Sequence, residues 1–68
     1  IMKQLGNLVM VCAQRRSVEF WMENGEVRVT FRAFPGAPSF YIRWDDDRKI
    51  EEMIREMNFG KYAGEGKS

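Results

Sequence analysis

The chain has 68 residues, a mass of 8.0 kDa and a formal charge of +1. A chain of this length buries only about 60% of the surface that its unfolded form exposes, so it makes one domain and encloses no interdomain cleft. With 44% hydrophobic and 31% charged residues it reads as a folded domain. Its single cysteine, Cys12, excludes an internal disulfide framework, and the absence of histidine removes the usual neutral-pH base and the commonest metal ligand.

The charge is uneven along the chain. Residues 1–43 carry a net +3 and residues 44–68 a net −2, and arginine outnumbers lysine seven to four. Arginine suits bidentate contacts with phosphate or carboxylate and stacks on rings. No apolar run is long enough to span a membrane, and the opening Ile1-Met2-Lys3 does not read as a signal peptide. The expected location is cytoplasmic.

Leu8–Ala13 reads as a first strand, rich in valine and apolar on both faces; a short buried helix is the rival assignment. Gly6 and Asn7 start the strand or mark a bulge. Gln14-Arg15-Arg16-Ser17 is a polar turn. Two adjacent arginines there could grip a phosphate or an acidic partner, although a dipeptide is a short basic signal.

Asn24-Gly25 is the strongest local signal. It sits between two alternating segments and specifies a two-residue type I′ hairpin turn. With Glu23 and Glu26 flanking the turn, Trp21 faces Arg28 and Phe20 faces Val29. One face then holds Val18, Phe20, Met22, Val27, Val29 and Phe31. The other holds Glu19, Trp21, Glu23, Glu26, Arg28, Thr30 and Arg32. A slip by one residue mixes the two sets, so the pattern specifies its own register.

Pro35-Gly36-Ala37-Pro38 is a loop. Ser39–Trp44 resumes the alternation, with Phe40, Ile42 and Trp44 on one side and Tyr41 and Arg43 on the other. Asp45-Asp46-Asp47 opens a helix whose stripe is Ile50, Met53, Ile54 and Met57, and Gly60 stops it. Consecutive aspartates rarely converge on one ion, so capping and solvation explain this triplet better than a divalent metal site. Residues 61–68 read as a disordered polar tail after a single domain over 1–60.

The expected fold is α+β: a four-stranded antiparallel sheet followed by one C-terminal helix packed on one face, in the order β-β-β-β-α. In topology and size this outline resembles small single-strand-binding coactivator domains, which dimerise and bind DNA through their sheets. No motif carries their binding residues over to named positions here.

The face away from the helix would present Trp21, Arg28, Arg32, Tyr41 and Arg43, with Phe34 at a strand end. Rings on which bases stack, set among cations that meet phosphates, suit single-stranded nucleic acid. The expected function is therefore non-enzymatic binding of single-stranded nucleic acid on this face, with Arg15 and Arg16 as further candidates. The alternative is a protein-interaction module, an inhibitor or adaptor, using the same tryptophan, tyrosine and arginine anchors, or a homo-oligomeric structural protein. The doubly apolar first segment suggests a homodimer. Without histidine, a phosphate-binding loop or an enclosing cavity, no enzyme is expected, and no cofactor or metal.

Overall fold

The computed structural model describes residues 4–64. The chain is α+β, with helix α1 (Gln4–Ala13), strands β1 (Val18–Glu23), β2 (Glu26–Phe31) and β3 (Ser39–Arg43), and helix α2 (Asp47–Phe59). The strands form one antiparallel sheet in the order β1-β2-β3. The expected four-stranded β-β-β-β-α arrangement is thereby corrected to α-β-β-β-α, and the likeness to single-strand-binding coactivator domains lapses with it.

The error lies in residues 8–13, which are helical. Their valines favour a strand locally, and Gly6 and Asn7 are weak helix formers. Docking overrides that preference, because a helix over 4–13 brings Leu8 and Cys12 together, four residues apart, on one inward face. Leu5 and Val11 pack beside them. The outward side keeps Val9 and Met10 exposed. The segment that suggested a homodimer thus buries Leu8 and Cys12 inside its own chain.

The hairpin has the register its sequence specifies: Val18 pairs with Phe31, Phe20 with Val29, Trp21 with Arg28 and Glu23 with Glu26. Asn24 and Gly25 both take positive φ, at 54° and 77°, as a type I′ turn requires. In β3, Ile42 pairs with Val27, Tyr41 with Arg28 and Phe40 with Val29.

Both helices cover one face of the sheet. Val18, Val27, Val29, Phe31 and Ile42 form one core with Leu8, Cys12, Ile50, Met53 and Met57. Ile54, expected on the buried stripe, is only partly buried at its margin. Met22, on the same sheet face, lies exposed at the hairpin end.

The helices run side by side in the same direction. At one end, the Gln4 amide that begins α1 donates to the Asp47 carboxylate at the start of α2, over 3.4 Å. At the other end, Arg15, just past α1, donates to the carbonyls of Met57 and Tyr62. Asp46 caps α2 by accepting from the Lys49 amide at 3.2 Å.

Beyond α2 the chain folds back over its own end. A Cβ on Gly60 would crowd the Glu56 side chain and lie 3.1 Å from its Cα, so this close approach favours glycine. The Tyr62 amide donates to the Glu56 carbonyl, and the Tyr62 ring enters the core, only 6% exposed. It stacks on Phe31 at 4.1 Å and meets Phe34 and Phe40 edge-on. Lys61 to Gly64, expected in a disordered tail, thus include a core residue; residues 65–68 lie outside the described part. Phe34, expected beside the arginines, belongs to this aromatic cluster instead.

Candidate functional site

The sheet face turned away from the helices carries three cross-strand rows. Glu19, Thr30 and Ser39 form one, Trp21, Arg28 and Tyr41 the next, and Glu23, Glu26 and Arg43 the third. The middle row brings together three of the residues singled out from sequence. Strand order decides this, since β2 lies between β1 and β3 and puts Arg28 between the two rings. Neighbouring strands lie about 4.8 Å apart, so the two ring-bearing backbones are about 10 Å apart.

Both rings stand in solvent, Trp21 at 57% and Tyr41 at 63% exposure. Arg28 is held more firmly. Its guanidinium donates to the Thr30 hydroxyl at 3.1 Å and lies 3.8 Å from the Glu19 carboxylate. Thr30 bonds to the Ser39 hydroxyl in turn, at 2.7 Å. This side-chain chain across the sheet orients Arg28 and leaves Thr30 buried on an otherwise open face.

The other arginines of the face also have acidic neighbours. Arg32 lies 3.4 Å from Glu19, and Arg43 lies 3.3 Å from Asp45. With Glu23 and Glu26 added, three glutamates stand against three arginines, so the face has no net positive field. A depression of about 250 Å³ beside Tyr41 is lined by Glu23, Glu26 and Arg28. A ring next to two carboxylates suits a cationic group from a partner better than a phosphate.

Arg15 and Arg16 lie elsewhere. Arg15 binds the carbonyls past the end of α2, which makes it a structural residue, while Arg16 points into solvent in the turn before β1. Neither joins the row. The aspartate triplet is likewise dispersed, Asp45 to Arg43, Asp46 to the cap and Asp47 to α1. Cys12 is buried, and burial pushes its thiol from an ordinary 9.0 up to about 11, with Arg15 opposing weakly. It is a core side chain and a poor nucleophile.

Among the described residues, no helix is long and apolar enough to cross a membrane. Comparison of the chain with protein-family models, with curated proteins and with solved structures finds no match in any of the three.

Proposed function

We propose that the chain is a small protein-interaction module that docks a partner on the outer face of its sheet. The observation that carries this reading is the Trp21–Arg28–Tyr41 row, two exposed rings around an arginine already neutralised by Glu19. Tryptophan, tyrosine and arginine are the residues that most often anchor protein interfaces. A face three strands wide and five residues long covers on the order of 250 Å². A standard interface buries about 800 Å² per partner, so the complex belongs to the transient class unless flanking loops contribute.

Single-stranded nucleic acid is the second reading, and the two rings in one row favour it, since bases stack on such platforms. The balanced charge of the face weighs against it, because phosphate binding draws most of its affinity from unneutralised cations.

The test is capture by the immobilised chain, with Trp21→Ala and Tyr41→Ala variants alongside. A protein retained after nuclease treatment, and lost in both folded variants, supports the interaction module. Retention that nuclease abolishes, or direct binding of a labelled oligonucleotide that weakens steeply with salt, replaces it with the second reading. Retention unaffected by either variant rejects the face altogether.

A further inference from the structure

The hydrogen-bond parity of β3 exposes a second surface, distinct from the outer face. In an antiparallel ladder, directly opposed residues alternate between pairs that exchange both backbone hydrogen bonds and pairs that exchange none. At one end of the β2–β3 ladder the Phe31 amide donates to the Pro38 carbonyl, and at the other the Trp44 amide donates to the Gly25 carbonyl. Residues 38, 40, 42 and 44 therefore face β2. The backbone groups of Ser39, Tyr41 and Arg43 point away from the sheet. The Arg43 carbonyl is taken by the Asp46 amide. The amides of Ser39, Tyr41 and Arg43 and the carbonyls of Ser39 and Tyr41 have no backbone partner among the described residues.

Protein edges are usually blunted by proline, a bulge or a covering segment. The five residues of β3 contain neither proline nor bulge. What lies beside them is a groove of about 380 Å³ between β3 and α2. Phe40, Ile42 and Met53 line its apolar part, and Lys49, Glu52, Arg55 and Glu56 stand on its α2 wall. Arg55, on the same helix, is paired with Glu51. The Lys49 ammonium has no partner among the described residues.

We propose that the β3 edge accepts an extended segment of another protein as a fourth strand. Its backbone pairs with Ser39, Tyr41 and Arg43. The side chain opposite Phe40 is apolar and enters the groove over Met53. The side chain two positions away, opposite Ile42, is acidic and meets Lys49. Main-chain pairing supplies affinity in this mode of recognition, and alternate side chains supply specificity. This site shares Tyr41 with the outer face but uses its backbone rather than its ring, and Trp21 lies on β1 at the far side of the sheet, so the two can be tested apart.

The probe is a capped six-residue peptide bearing leucine opposite Phe40 and aspartate two residues on. Nitrogen-edited NMR follows the amides of residues 39–43. The expected result is shifted Tyr41 and Arg43 signals and hydrogen exchange at both slowed about tenfold or more at saturation. N-methylation of the peptide residue opposite Tyr41 should abolish binding. Lys49→Glu, at an exposed position that leaves the core intact, should weaken the aspartate peptide by about two- to fivefold and favour a lysine-bearing version. Trp21→Ala should bind the peptide as the parent does, which separates this site from the outer face. Unmoved amides at millimolar peptide, undiminished binding of the N-methylated peptide, or a doubled mass by light scattering without peptide would each overturn the proposal. The last result would assign the edge to a second copy of the chain.

Discussion

Tyr62→Ala should be among the most damaging single changes in this molecule, although the residue lies beyond the last helix. A buried aromatic side chain removes about 150–250 Å² from water. At about 25 cal/mol per Å² that corresponds to about 4–6 kcal/mol, an upper bound because the unfolded chain already buries part of that surface. Truncation of large aromatics to alanine in protein cores costs about 3–5 kcal/mol. The ring of Tyr62 stacks on Phe31 and touches Phe34 and Phe40, so its loss opens a void shared by three other rings. A loss of about 3–4 kcal/mol is expected. A chain of this length has a total stability of about 3–10 kcal/mol, so the variant should be largely or marginally unfolded. Urea unfolding followed by near-ultraviolet circular dichroism reads this directly. Tyr62→Phe keeps the ring and should stay within about 1 kcal/mol of the parent. A Tyr62→Ala loss below about 1 kcal/mol would refute the docking of this segment.

Other outcomes follow from the same contacts. Arg15→Met should cost about 1.5–3 kcal/mol in urea unfolding, since it removes charge-assisted bonds to two carbonyls, whereas Arg16→Met should stay within about 0.5 kcal/mol. Asp46→Ala, which removes the α2 cap, should cost about 1 kcal/mol. The Cys12 thiol stays neutral in the folded chain up to about pH 11, while the unfolded thiol ionises near its ordinary 9.0. The unfolded state therefore binds fewer protons between those values, and stability should fall as pH rises through that window. Cys12→Ala should flatten this stretch of the pH profile, and an unchanged slope would show that another group controls it.

How far the sequence revealed this structure depends on the kind of information each segment carries. The hairpin was legible to the residue, because alternation on both sides of Asn24-Gly25 permits a single register. The capping of α2 by its aspartate triplet and the stop at Gly60 were legible for a similar reason, since each is a local requirement of one helix end, although the sequence did not single out Asp46 as the cap. Residues 8–13 were not. An unbroken apolar run has no period to read, and the choice between strand and helix was made by β1 and α2, far along the chain. Tyr62 was hidden by its polar, glycine-bearing surroundings, although a lone tyrosine there was the one available signal. At the candidate site, the pairing of Trp21 with Arg28 could be read within the hairpin. The addition of Tyr41 needed the strand order, and the neutralisation of Arg43 by Asp45 needed the turn that follows β3.

The parallel setting of α1 and α2 has a consequence for how the molecule is made. Their like poles lie together, and each end is tied by an ion of the opposite sign, Asp47 against the α1 start and Arg15 against the α2 end. Both ties join residues more than 40 positions apart in the chain. During synthesis α1 therefore has neither its neighbour nor its electrostatic counterweight until α2 exists. The ring that closes the core arrives later still. Ribosomal synthesis adds about 5–20 residues per second, so residues 4–13 wait seconds for the α2 and Tyr62 side chains that share their core. The hairpin, whose pairing is entirely local, can form in that interval. The making of this fold is thus a wait by α1 for α2 and Tyr62.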